Sequence, residues 1–267
     1  MSAVLTAWVE SVGLLGPGLP DWPAAAQVLS GAAPYEARRT AIPPLACLPP
    51  AERRRTGKVV RLALTVGLEA VARAGANAAA LPAVFSSSGG DGENCHEICQ
   101  VLASADRQIS PTRFHNSVHN AASGYWGIAT GATAASNALC AYDASFAAGL
   151  LEALVQVRID ETAVLLIAYD ADYPEPMRSV RPIPDAFGVA VLLTPVARPG
   201  SLARLTADLG AAPADVLPDP RLETLRAQVP AARSLPLLRR IARTERAAVV
   251  IDYLGRQRLQ LEVSPCH

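Results

Sequence analysis

The sequence predicts an α/β fold in which a sheet is layered against helices. Three observations carry this. Two short apolar runs, TAVLLIAY at 162–169 and FGVAVLL at 187–193, have the length of strands buried on both faces. Segments with apolar residues at helical spacing lie between such runs, the alternation typical of layered α/β domains. Finally, residues 110–157 are rich in small side chains and almost free of charge, which suits close packing of backbones.

Taken in order, residues 1–20 read as a strand or short helix followed by a Pro/Gly turn. Residues 21–50 hold six prolines and are expected to form an irregular surface excursion. The stretch AERRRTGKVVRLALTVGLEAVARAG then predicts one helix, with Val59, Leu62, Ala63, Val66, Ala70 and Val71 on one face and Gly75 as its C-cap. A short buried strand is expected at 81–86, then the turn SSSGGDG and a helix over 94–105. Within 110–131 a helix is expected around 123–130. Residues 134–139 read as a buried strand and 144–157 as a helix. Residues 170–184 are polar and Pro-punctuated, hence a loop. In the Ala/Pro/Arg-rich 198–236, Leu202, Leu205 and Leu209 predict a short helix. The tail predicts two strands, about 247–254 and 257–263, joined at Gly255-Arg256. The composition shift near 196 divides the chain into 1–196 and a divergent 197–267 packed on the same domain.

The 267 residues carry 24 basic and 24 acidic side chains. A formal net charge of +0 gives no electrostatic case for a nucleic-acid or anionic-lipid partner. Neutrality with a positive mean hydropathy gives poor colloidal protection, so some apolar surface is expected to be covered by a partner. Cys47, Cys95, Cys99, Cys140 and Cys266 are odd in number and lack a secreted-framework spacing, which predicts reduced thiols and a cytoplasmic location. The N-terminal stretch lacks a basic start and carries Glu10, so it is not read as a signal peptide. The most apolar stretch, 132–157, is broken by Asn137, Asp143 and Glu152, so no membrane span is expected.

Several motifs invite chemistry and fall short. His115 and His119 lie four apart but lack a third and fourth ligand, so they read as polar residues of a packed loop. The same arithmetic disfavours zinc at Cys95-His96-Glu97-Ile98-Cys99. The turn SSSGGDG lacks the Lys and Ser/Thr of a phosphate-binding loop, and no G-x-S-x-G elbow is present. Neither a metal nor a cofactor is expected. Asp143 reads as the N-cap of the helix beginning near Ala144. Tyr125, Trp126, Tyr142 and Phe146 read as core or interface residues.

The order of elements, with RLALTVGLEAVARAGA, VFSSSGGDGE, ISPTRFHNSVHNAASGYWGIATG, ASNALCAYDASFAAGLLEA and FGVAVLLTP, resembles the N-terminal half of a β-ketoacyl-acyl-carrier-protein synthase, of the thiolase-like fold. The resemblance covers about 50–195 and is most specific over 109–153. It is closest to the shortened, chain-length-factor-like branch associated with aryl polyene and related polyketide-type pathways.

The resemblance implies a cysteine nucleophile at a strained strand-to-helix turn, activated by the helix N-terminus. Aligning the following helix on Gly149 puts Ala141 there; a one-residue gap would put Cys140 there instead, at the cost of the helix's apolar register. It also implies two histidines from a C-terminal half. The histidines here are His96, His115, His119 and His267, none in a recognisable C-terminal motif. The expectation is therefore a subunit that is not catalytic alone, forming a heterodimer with a full-length β-ketoacyl synthase and meeting acyl carrier protein only indirectly. Phe114, Tyr142 and Phe146 are the expected tunnel walls. His115, Asn116, His119, Asn120, Tyr125, Trp126 and Asn137 are the expected interface. The alternatives are an acyltransferase or thioesterase using Cys140, and a carrier-docking scaffold presenting Arg53, Arg54 and Arg55.

Overall fold

The computed structural model describes residues 4–266, so His267 lies outside the described residues. The elements run in chain order as β1 (Leu5–Leu15), α1 (Trp22–Ser30), α2 (Pro50–Arg55), α3 (Lys58–Ala74), β2 (Ala83–Ser86), α4 (Gly92–Ala103), α5 (Pro111–His115), α6 (Ala121–Thr130) and β3 (Ser136–Leu139). They continue with α7 (Ser145–Asp160), β4 (Val164–Asp170), α8 (Met177–Val180), β5 (Phe187–Thr194), β6 (Ala203–Gly210), α9 (Pro220–Gln228), α10 (Leu235–Ala242), β7 (Ala247–Asp252) and β8 (Arg258–Pro265). The strands form an eight-stranded sheet in the order β3-β2-β4-β5-β1-β6-β8-β7. β3, β2 and β4 are parallel; the remaining pairs are antiparallel.

Strand periodicity splits the core into two layers. On β4, Val164, Leu166 and Ala168 meet α7, while Leu165, Ile167 and Tyr169 meet the α3 and α6 side. That is why β4 and β5 read as unbroken apolar runs: every residue of each is buried. α3 lies very close to β1. Ser11 Oγ donates to the Ala70 carbonyl at 2.6 Å, and Glu69 accepts from Leu14 N and Trp22 N, each at 2.8 Å. Only glycine fits beneath this helix at position 13, because a Cβ there would fall 2.1 Å from the Val66 carbonyl oxygen. Beyond β1, the α1, α9 and α10 layer continues over β6, β8 and β7, whose opposite face alternates with exposed Arg204, Asp208, Ala248 and Glu262.

Four sequence expectations fail here, each for a physical reason. Residues 21–50 are not wholly irregular: Asp21 caps α1 by accepting from Ala24 N at 2.8 Å, and Gly31 ends it at φ 88°. The single helix expected after Pro50 is two helices, broken at Thr56-Gly57. Gly57 lies against the Asp91 carboxylate, where a Cβ would sit 2.2 Å from Oδ2. The helix expected on Leu202, Leu205 and Leu209 is strand β6. Its core face is Ala203, Leu205 and Ala207 at period 2; the alanines carry the signal that the leucine spacing obscures. Lastly, β3 is a strand as expected but is exposed rather than buried, because it ends the sheet.

Candidate functional site

The parallel strands β2, β3 and β4 end at Ser86, Leu139 and Asp170 and bring their following turns together. This is the end of an α/β sheet at which ligands and catalytic turns gather. Ser87 N extends the ladder to the Leu139 carbonyl at 3.2 Å, and Ser86 Oγ donates to the Ser145 carbonyl at 2.5 Å.

The strand-to-helix turn spans Cys140 to Ala144. Ser145 Oγ closes it, accepting from Ala141 N at 3.0 Å and donating to the Tyr142 carbonyl at 2.7 Å. The left-handed backbone of this turn belongs to neither Cys140 nor Ala141. It belongs to Tyr142, at φ 52°, whereas Ala141 has φ −137°. A non-glycine residue is strained there, and such strain concentrates at functional positions. Tyr142 is 61% exposed, and the Arg181 guanidinium stacks on its ring 3.8 Å from the centroid. The Cys140 thiol donates to the Ser88 carbonyl at 3.2 Å. A carbonyl cannot accept the proton as a general base would, so this contact does not activate the thiol.

Asp143 does not cap α7. Its carboxylate bridges Arg181 at 2.7 Å and Arg233 at 3.1 Å, fastening the turn to the C-terminal region. Beneath it, Asp170 is buried. It accepts from Ser88 N at 2.8 Å, Ser88 Oγ at 2.6 Å and Ala231 N at 2.8 Å. Burial pushes its carboxyl up to about 6, against the opposing pull of these hydrogen bonds and of Arg181. Sequence reasoning left Asp170 in a loop and missed Arg181 and Arg233. The available signal was an acidic residue ending the otherwise apolar VLLIAY run, which a buried strand tolerates only with partners.

The other expected site residues separate into surface and core. Phe114 is exposed, together with Val118 and Ile128, and it borders a shallow hollow of about 440 Å³ that also touches His115, Asn120 and Gly124. Phe146, expected on a tunnel wall, is fully enclosed among the chain's own apolar residues, because it lies on the sheet-facing side of α7. Tyr125 and Trp126, expected at an interface, are buried in the α3–α6 layer, with Trp126 edge-on to Phe85. Asn116 is buried too: its amide donates to the Arg55 carbonyl at 2.7 Å and accepts from Tyr125 Oη at 3.1 Å. His115 meets the Tyr125 ring edge-on, and His119 Nε2 lies 3.2 Å from the Ser87 carbonyl. Asn137 is exposed and donates to Glu152 at 2.9 Å. Among the described residues, no three of His, Cys, Asp and Glu converge as a metal site would need. Cys95 and Cys99 are exposed on α4 and close to each other; burial, then Cys99, raises the Cys95 thiol.

Residues 22–253 match the family described as beta-ketoacyl synthase, N-terminal domain. No curated protein sequence matches the chain. Among solved structures, a ketosynthase (ApeO) in complex with its chain length factor (ApeC) from Xenorhabdus doucetiae superposes with a TM-score of 0.74 at 24% identity, over 97% of this chain and 99% of that one. The ishigamide ketosynthase/chain length factor gives 0.73 at 13% identity, over 98% and 100%. AntDE:AntF, a type II PKS acyl-carrier protein in complex with its ketosynthase bound to the hexaketide, gives 0.78 at 10% identity, over 99% and 100%. These three matched chains therefore have about this chain's length. A beta-ketoacyl synthase from Burkholderia phymatum STM815 is covered over only 70% of its chain, with a TM-score of 0.59 at 14% identity.

Proposed function

Because this chain belongs to the beta-ketoacyl synthase N-terminal-domain family, with its thiolase-like layered fold, we propose that it is a chain-length-factor-like subunit. It pairs with a full-length β-ketoacyl synthase in the cytoplasm and bounds the tunnel in which that partner elongates an acyl chain of polyene, polyketide or fatty-acid type. Acyl carrier protein serves the partner and meets this chain only indirectly.

The observation that carries the reading is the outer edge of β3. It ends the sheet, and the strand itself, SNAL, has no charged residue, bulge or proline to blunt it. Exposed Ile128 on α6 and Val155 on α7 lie on the helices packed beside it. Unprotected edges of this kind pair with other chains. Phe114 and Tyr142, both exposed, are the wall residues this reading assigns to the shared tunnel. Length control follows from sterics, since a bulky wall residue stops a chain that a small one admits.

Co-expression with a full-length ketosynthase encoded alongside it tests the proposal. The expected result is a heterodimer on size-exclusion chromatography, with this chain poorly behaved alone. A well-folded monomer that ignores the ketosynthase overturns it.

A further inference from the structure

Far from β3, the C-terminal end of α1 and the loop after it face α10 and the segment 217–222 across a hollow of about 300 Å³. That volume lies at the lower end of small-ligand pockets. Leu29, Tyr35, Leu217 and Leu222, each largely buried, line it. Three guanidinium groups lie around it, against one carboxylate, Asp219. Two of the three are committed. Arg221 pairs with Asp219 at 3.2 Å and lies over the Tyr35 ring. Arg243 pairs with Glu245 at 2.6 Å and donates to the Ser30 carbonyl at 3.3 Å.

Arg239 differs. It is partly buried, and among the described residues it has no hydrogen-bond acceptor and no carboxylate within ion-pair distance. Its charged neighbours include Arg243 and Arg240; desolvation first, then these two, lower its affinity for its proton, with Glu245 opposing. A partly exposed guanidinium that lines a concave apolar surface beside two other arginines, with no carboxylate of its own, is placed to take an oxyanion. We propose that this hollow binds a small amphipathic anion, with its carboxylate or phosphate head on Arg239 and its aliphatic or aromatic body over Leu29, Tyr35 and Leu222. Arg suits both heads because its fork of donors matches either geometry. The hollow lies on the α1–α10 layer, away from β3, so the site stands independently of the partner assignment.

The test uses the full chain, with its partner if it needs one, and four probes: octanoate, octyl phosphate, octanol and inorganic phosphate. Binding is read by calorimetry and by the Nε–H resonance of Arg239. Octanoate, octyl phosphate or both should bind and shift that resonance, and Arg239→Ala should weaken this binding at least tenfold while leaving the thermal midpoint of the unliganded protein near the wild-type value. Whichever of the two binds more tightly identifies the head. Octanol binding as well as octanoate would mean an apolar hollow without an anion site. Inorganic phosphate binding as well as octyl phosphate would remove the role of the apolar floor. Unchanged affinity in Arg239→Ala overturns the assignment, and Arg239→Lys, which keeps charge but not the fork, guards against loss of fold.

Discussion

Asp170 is buried among hydrogen bonds and held at a carboxyl value of about 6, above its ordinary 3.8. Its sign in folding follows directly. Between these two values the folded state binds more protons than the unfolded chain, so this residue's contribution to stability falls as pH rises through the window. About two units correspond to roughly 3 kcal/mol. The stability difference between wild type and Asp170→Asn should therefore move by about 3 kcal/mol between pH 4 and pH 7, with the wild type losing relative to the variant. Urea unfolding at the two pH values measures it; equal differences would show that burial does not perturb this carboxylate. That the turn after SNAL leads into a buried helix is legible from LCAYDASFAAG, but which residue takes φ 52° is not, because one position of register decides it. Asp143 misled for a related reason: it precedes a helix as a cap would, and its arginine partners lie 38 and 90 residues away.

At the scale of elements, the partner edge proposed at β3 can be tested apart from the fold. Ala135 and Leu139 turn their carbonyls toward β2, accepting from Ala83 N and Ser87 N. Alternation along a strand then turns the main-chain groups of Ser136 and Ala138 outward. Ala138→Pro removes an outward N–H without touching the ladder to β2, a substitution tolerated at sheet edges. The expected outcome is a chain whose stability changes by no more than about 0.5 kcal/mol while its co-purification with the ketosynthase is lost. Unchanged pairing would place the interface elsewhere. Long elements were the legible ones: α3, α7, β4 and β5 announce themselves by period or by unbroken apolarity. β6 did not, since its inward face uses two alanines whose small apolar surface weakens the alternation. The exposure of β3 was equally hidden, because small side chains suit a crowded core and an exposed sheet edge alike.

Across the whole molecule, the sheet and its apolar layer continue through residue 196, where the composition shifts. β1 pairs on one side with β5 and on the other with β6. One apolar layer runs from Val12 and Leu154 to Leu238 and Val263. Cutting the chain after 196 would strip β6 from β1 and uncover that layer. A 1–196 fragment, co-expressed with the partner, is expected to aggregate or to unfold without a cooperative transition, whereas the full chain in its heterodimer is expected to melt cooperatively. Calorimetry of both decides, and a fragment that melts cooperatively by itself would establish 1–196 as an autonomous domain.

The central place of β1 also has a consequence in time. Its partners are residues 187–194 and 203–210, so the ribosome must add more than 170 residues after Leu15 before β1 can close its first ladder. At ordinary elongation rates that interval is on the order of ten to thirty seconds. During it, an apolar strand and the helix that later covers it are tethered to a nascent chain in which neither strand that pairs with β1 yet exists. Newly made protein should therefore depend on chaperone occupancy during translation far more than its finished stability suggests. Slowing synthesis lengthens the exposed interval rather than helping the fold.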